Sequence, residues 1–294
     1  MDLITLNKEY GCNDNIRFID EYHTIIAEIK NKYATVKVSL YGAQVLSFKP
    51  HDQDEILFMS SQSYFEDGKA IRGGIPVCWP WFGSHPNNEE LPSHGFARIS
   101  TWKVVSCLST NDAVTLKLGL TSNASTLKLW PFVFNAELVV KLGKELSVSL
   151  ITTNKNDVPF EISSALHSYF KLSDFSDTSL KGLKDTAFLD DVSEKEGLQK
   201  EELLRFSDRI DCRYRRTESP CLINDKDRQI KVEKRGSEIT VVWNPGKQLS
   251  AEMKDLGDQD YKHMLCVEAA NSLEDTITVQ AGKKHTLETI ISIV

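Results

Sequence analysis

The sequence predicts an all-β protein of sandwich or barrel type, and three observations carry that prediction. Apolar and polar residues alternate with period two in several separated runs, clusters of Gly, Pro and Asn bound those runs, and no strand–helix alternation links them. Periodicity by itself supports antiparallel strands and does not choose between a sandwich and a barrel. A chain of 294 residues has room for one large β domain or two ordinary ones. No Gly-, Pro- or Ser-rich linker, low-complexity tract or fixed-period repeat divides it, so residues 1–294 are expected to form one domain.

In chain order, Val36, Val38 and Leu40 alternate with Lys37 and Ser39, the pattern of a strand with one face buried. Leu116, Leu118 and Leu120 repeat it against Thr115, Lys117 and Gly119. Leu138, Val140 and Leu142 run through Gly143-Lys144-Glu145 into Leu146, Val148 and Leu150, which predicts a hairpin. The run from Ser193 to Leu204 is the one helix the pattern suggests. Ile239, Val241 and Trp243 then alternate before Asn244-Pro245-Gly246, expected to be a turn, and Thr286 to Val294 closes the chain as a β-rich run.

Composition narrows the function classes. The chain is 40% hydrophobic and 26% charged, ordinary for a soluble globular protein. Its net charge, 35 − 42 = −7, disfavours a nucleic-acid partner, because phosphate-backbone binding needs a basic face. The arginines between Arg205 and Arg216 are interrupted by Asp208 and Asp211 and read as a solvated face. The N-terminal residues lack a basic start and an apolar core, so no signal peptide is expected. No apolar run approaches the ~18 residues a membrane span needs. Six scattered cysteines without a C-x-x-C pair read as reduced thiols, which points to the cytoplasm, and a monomer is expected.

The stretch Ile71 to Trp102 holds the most position-demanding residues. Gly73 and Gly74 follow Arg72 and permit positive φ or close approach of a ligand. Pro76 and Pro80 stiffen the path, and Trp79, Trp81 and Phe82 place three rings in four positions. Ser93, His94, Gly95 and Arg98 follow. Two arginines and a histidine on a rigid loop suit an anionic, hydroxylated ligand, since guanidinium groups bind phosphate or carboxylate through paired hydrogen bonds. Trp79 or Trp81 either covers an apolar face of that ligand or is core.

Two further positions admit two readings each. His167, in ISSALHSYFKL, is a satisfied core or edge residue, or it faces a ligand across the small residues before it. Glu268 follows Leu265, Cys266 and Val267 and is either a solvated strand-end carboxylate or a desolvated one with a raised pKa, suited to base chemistry. The seven histidines show no H-E-x-x-H or H-x-H spacing, so no metal is expected. A G-x-S-x-G elbow, a P-loop and a dinucleotide fingerprint are all missing from the sequence.

The ordered set RGGIP…WPWFG…LPSHGFAR resembles the core signature of the glucose-6-phosphate 1-epimerases, a branch of the aldose 1-epimerase superfamily. That resemblance implies a large antiparallel β-sandwich. It places His167, within Ala-Leu-His-Ser-Tyr-Phe, where the family has its general acid, and Glu268, within YK…CVE, where it has its general base. Asp208-Arg209 is similar to an Asp-Arg element whose aspartate contacts sugar hydroxyls, although Asp211 stands where the family usually has Tyr. Ser93 occupies a position that is Gln in some members, and Trp243-Asn244-Pro245-Gly246 replaces WNPW, a difference expected to touch a turn.

The expected reaction is ring opening and closure of an aldose by general acid–base catalysis, which needs no cofactor. His167 and Glu268 would be catalytic, with Arg72, Ser93, His94, Arg98 and Asp208 binding substrate and the arginines holding a 6-phosphate. The competing readings are a mutarotase for unphosphorylated aldoses and a non-catalytic carbohydrate-binding protein on the same fold.

Overall fold

A computed structural model describes residues 2–12 and 15–294, and antiparallel strands dominate it. A nine-stranded sheet runs in the order Leu203–Arg205, Ser179–Lys181, Cys221–Asp225, Arg228–Arg235, Lys284–Ile293, Leu146–Asn154, Phe134–Leu142, Val114–Thr121, Lys103–Ser109. An eight-stranded sheet runs Lys195–Leu198, Ala187–Asp190, Ile210–Tyr214, Ile239–Asn244, Met264–Asn271, Ser164–Leu166, Val77–Cys78, with Tyr169–Lys171 also paired to Met264–Asn271. A four-stranded meander, from Ile16–Glu21 to Val45–Pro50, and a two-stranded pair complete the β structure. Strand Met264–Asn271 packs over Lys284–Ile293 and Arg228–Arg235, so the two large sheets lie face to face as a sandwich.

The period-two runs fold as their pattern dictates. Leu146–Asn154 alternates buried and half-buried residues along its whole length, and Phe134–Leu142 pairs with it through Leu142 opposite Leu146. Leu116, Leu118, Leu138, Val140 and Val148 are fully buried between the sheets. Side chains of this kind contribute about 1.5–3 kcal/mol each on burial. Ile239–Asn244 and Lys284–Ile293 form the expected strands.

The Ser193–Leu204 run is not helical. It forms strands Lys195–Leu198 and Leu203–Arg205, the first paired with Ala187–Asp190. The Glu- and Lys-rich composition favours a helix, but tertiary pairing overrides it. The ring of Phe188 lies where a Cβ on Gly197 would sit, 2.4 Å away, so only glycine admits this contact. Three helices have weak sequence signals. Leu3–Tyr10 starts where Asp2 accepts a hydrogen bond from the Thr5 N–H, and Ala124–Leu129 starts at a capping box of Asn123 and Thr126. The turn at Asn244-Pro245-Gly246 opens directly into Gly246–Glu252.

Met264–Asn271 lies at the centre of the eight-stranded sheet, and all eight of its residues are buried. One face meets the nine-stranded sheet, and the other carries Cys266 and Glu268. The strand therefore reads as a continuous apolar run rather than an alternation. His167 and Ser168 fall in the break between two short strands, Ser164–Leu166 and Tyr169–Lys171, that pair along the same edge of it.

Candidate active site

Residues directly opposite one another on antiparallel strands share a face. The register sets Tyr169, Cys266, Trp243 and Asp211 in one row, and Glu268, Val241 and Arg213 in the next. His167 comes up beside both rows. Its Nδ1 lies 3.3 Å from Oε1 of Glu268, its ring stacks on Tyr169 at 4.7 Å and 8°, and the indole of Trp243 meets it edge-on at 5.9 Å. The hydroxyl of Tyr169 accepts a 2.9 Å hydrogen bond from Nη1 of Arg72. Nε and Nη2 of Arg72 donate to Oδ2 of Asp255 at 3.1 and 2.9 Å. A chain of contacts thus runs from Asp255 through Arg72 and Tyr169 to His167 and Glu268.

His94 completes the cluster. It adopts φ +61°, a left-handed conformation uncommon outside glycine, and its ring lies 6.0 Å from that of His167. The Gly83 N–H donates to its Nδ1 at 3.2 Å, so Nε2 carries the ring proton and serves as a donor. The next residue, Gly95, sits at φ +73°, where a Cβ would come within 2.0 Å of the Trp79 carbonyl oxygen.

The electrostatics favour uncharged histidines and an uncharged Glu268. Burial, then the Arg98 and Arg72 charges, push His94 down to about 3. Burial, then the field of His94 and both arginines, holds His167 well below the usual histidine range. Burial raises Glu268 well above the usual carboxylate range, and Asp211 raises it further. Asp211 is itself pushed up to about 6 by burial and by Asp191, with Arg209 and Arg213 opposing. Burial opposes the Arg72 charge, but Tyr169 and Asp255 more than offset it. Together these two directions favour a neutral pair, with the proton on Glu268. The charged arrangement, imidazolium and carboxylate, is its tautomer.

The other candidates divide. Arg98 donates from Nη2 to the Ser93 carbonyl at 2.8 Å, while its buried Nε has no hydrogen-bond partner among the described residues. Arg72 pairs with Asp255, not with the nearby acids of its own loop. Of its five N–H groups, three are engaged and two have no partner among the described residues. Ser93 is exposed and holds Arg98 through its backbone. Asp208 is exposed at the entry to Ile210–Tyr214, and its carboxylate accepts from the Arg209 N–H, with no hydrogen bond to the His167–Glu268 pair.

One expectation changes and one open choice closes. Gly74 does not offer its N–H to a ligand, because that group donates to the Phe58 carbonyl at 2.7 Å. A Cβ there would approach the Val45 oxygen to 2.1 Å, so the double glycine serves close backbone packing. Trp79 and Trp81 are core: Trp79 is fully buried with its ring edge-on to Trp130 and Phe134, and Trp81 donates from Nε1 to the Pro92 carbonyl.

Tyr169, Asp255, Cys266 and Trp243 belong to this site without having been singled out as site residues in the sequence, and Asp211, noted there only as a departure from the family pattern, joins them. Trp243 was expected only to border a turn. Next to it, Asn244 is fully buried and donates to the carbonyls of Tyr261 and Met264, which ties that turn to the site strand. Spacing along the chain revealed no metal motif. In three dimensions, however, His167, Cys266 and Glu268 each bring one ligand atom within 4.8 Å of the others. A cavity of about 760 Å³ lies elsewhere, between the first helix and the loop around Phe65, and contains none of these groups.

Residues 26–292 match the family model described as aldose 1-epimerase. A protein of Escherichia coli (strain K12), named "Putative glucose-6-phosphate 1-epimerase", is 37% identical over 279 residues, covering 93% of this chain and 92% of its own. A protein of Cenchrus ciliaris with the same name is 38% identical over 260 residues, covering 84% and 78%. A crystal structure from Salmonella typhimurium, described as a "putative mutarotase", superposes with a TM-score of 0.89 at 32% identity, covering 97% of this chain and 95% of that one.

Proposed function

The chain belongs to the aldose 1-epimerase family, and on that premise we propose that it interconverts the α and β anomers of glucose 6-phosphate and related hexose 6-phosphates. The observation that carries the mechanism is the buried pair His167–Glu268, with 3.3 Å between Nδ1 and Oε1. Ring opening requires one group to take the proton of the anomeric hydroxyl and another to give a proton to the ring oxygen. Rotation about the adjoining carbon–carbon bond turns the carbonyl over, and closure reverses both transfers. No bond to the protein forms, and nothing is oxidised or reduced.

The resemblance makes Glu268 the base and His167 the acid. The field in the site favours the opposite resting protonation, with the proton on Glu268. Opening and closing exchange the two roles, so a pair that shares one proton can enter the cycle from either tautomer. Tyr169 and Trp243 hold the His167 ring in place by stacking and edge contact. Neutral His94 supplies an Nε2–H donor for a substrate oxygen.

The phosphate reading rests on Arg98, whose buried Nε has an unused donor, and on the two remaining N–H groups of Arg72. Asp255 supports the second reading, a mutarotase for unphosphorylated aldoses, because it already supplies Arg72 with a carboxylate. Asp208 and Ser93 are proposed as outer contacts to sugar hydroxyls. The match over residues 26–292 supports one mutarotase-like unit, and six free thiols support a reducing compartment, the cytoplasm.

The test is NMR exchange spectroscopy on α and β glucose 6-phosphate, with and without protein, beside free glucose. Accelerated exchange of the phosphorylated sugar is expected. Acceleration of free glucose alone would establish the second reading, and acceleration of neither would remove the catalytic one.

A further inference from the structure

We propose that His167, Cys266 and Glu268 form an inhibitory binding site for a thiophilic divalent cation of the zinc or cadmium type. The three residues bring an imidazole nitrogen, a thiol sulfur and a carboxylate oxygen within 4.8 Å of one another, and all three are buried. Cys266 and Glu268 are two apart on one strand and so share a face, while His167 arrives from the neighbouring edge.

Two polar atoms of this cluster are unsatisfied. Nδ1 of His167 and Oε2 of Glu268 have no hydrogen-bond partner among the described residues, although both are buried. Buried polar atoms are normally paired, and an exception calls for a reason such as a catalytic role or an ion. The 3.3 Å between Nδ1 and Oε1 is not a well-formed hydrogen bond. It matches the roughly 3.4 Å that separates nitrogen and oxygen ligands on a tetrahedral ion with bonds of about 2.0–2.1 Å. Cys266 then has to close by about an ångström, from the outer limit of 4.8 Å towards the ~3.6 Å expected for a sulfur ligand.

The donor set selects the metal. A thiolate with an imidazole suits zinc and its heavier congener, whereas magnesium and calcium require oxygen ligands. Three protein ligands leave a fourth position, and the cluster opens where His167 retains 10% side-chain exposure against 1% for Glu268. On binding, the S–H bond of Cys266 breaks, its proton leaves to solvent, and a metal–sulfur bond forms. Any proton on Glu268 leaves in the same way, and nothing is oxidised or reduced. The ion then occupies the lone pairs that move protons in anomer exchange, so catalysis stops. The inhibition rests on the acid–base reading given above, while the metal site itself does not.

The experiment adds zinc chloride, cadmium chloride or magnesium chloride to the full chain after dialysis against a chelator. Cadmium reports its own ligation, because a thiolate bond gives a charge-transfer band in the ultraviolet. The expected result is a band at one equivalent of cadmium, present in the Cys12→Ser/Cys107→Ser double variant and lost in Cys266→Ser. Zinc should abolish anomer exchange in the wild type. Cys266→Ser should need at least about tenfold more zinc for the same loss, since even outer-shell partners of a metal commonly account for 10–100-fold in affinity. Magnesium should do neither. Glu268→Gln, which preserves volume, gives an independent check by weakening cadmium binding read from the band alone. Equal bands and equal zinc sensitivity in wild type and Cys266→Ser would overturn the proposal, as would the absence of both. A Cys266-dependent band in a protein that never exchanges anomers would uphold the metal site and sink the catalytic reading instead.

Discussion

The loop from Arg72 to Arg98 and the strand Met264–Asn271 contribute to the site in opposite ways. The loop is the most conspicuous part of the sequence, yet much of it serves the fold. Trp79 fills the core, Gly74 lets two backbones touch, and Arg72 is tied to Asp255. The strand looks plain in sequence, an apolar run with one acid, yet it places Cys266 and Glu268 on the face that His167 meets. Residues that demand special geometry mark constraint of any kind. An ionisable group inside an apolar strand marks chemistry more directly, because burying a polar group costs free energy unless something uses it.

The largest expected effect falls on the strand. Glu268→Gln should preserve the fold and slow anomer exchange by about 10²–10⁴, the usual contribution of a general acid–base group. His167→Asn should lose a similar factor. Exchange spectroscopy decides both, and wild-type rates in either variant would move the chemistry to other residues.

The loop should yield smaller and more selective effects. Arg98→Ala is expected to lower kcat/KM for glucose 6-phosphate by about ten- to a hundredfold, corresponding to roughly 1.5–3 kcal/mol for a hydrogen bond to a charged group. Activity on free glucose should barely change. Arg72→Ala should show the same selectivity with an added, smaller loss on both sugars, because Arg72 also holds the Tyr169 ring on which His167 stacks. Equal losses on the two sugars in both variants would make these arginines structural.

Gly74→Ala should separate fold from function within the loop. Its φ of +62° and the Val45 oxygen 2.1 Å from the new Cβ predict a loss of stability of about 1–3 kcal/mol, the scale of a strained backbone position. Activity per folded molecule should stay close to wild type. A normal melting temperature with lost activity would return the glycine to the ligand site.

The all-β class and several strands were legible because one face of each is buried and the other is not. Leu138–Leu142 and Leu146–Leu150 show this down to the residue pairing. The Ser193–Leu204 run misleads because its composition favours helix while its pairing with Ala187–Asp190 decides strand. The resemblance chose between the two readings open for His167 and Glu268, since neither periodicity nor spacing separates a catalytic histidine from a core one. Asp255 lies 183 positions from Arg72 in sequence, and only the tertiary structure joins them. Asp211 did stand out as a departure from the family pattern, but its relation to Glu268 depends on a register across two strand pairs.

Asp211 gives the smallest effect and the finest test of the comparison, since it acts on the strand's carboxylate from two strands away. Its negative charge stabilises the protonated form of Glu268, in addition to the larger effect of burial. Asp211→Asn removes that charge at nearly constant shape. Glu268 should then ionise more readily, so the acidic limb of the pH–rate profile moves to lower pH, as does any limb that reports ionisation of the coupled pair. The limb stays where it is if Asp211 acts instead by holding substrate, and its loss would then raise KM. The window is set by Asp211 itself, which burial and Asp191 push up to about 6. Above that pH wild-type Asp211 is charged and differs from asparagine. Below it the aspartate is neutral, and wild type and variant should converge. Parallel profiles from pH 5 to 8 would show that Asp211 does not act on Glu268 at all.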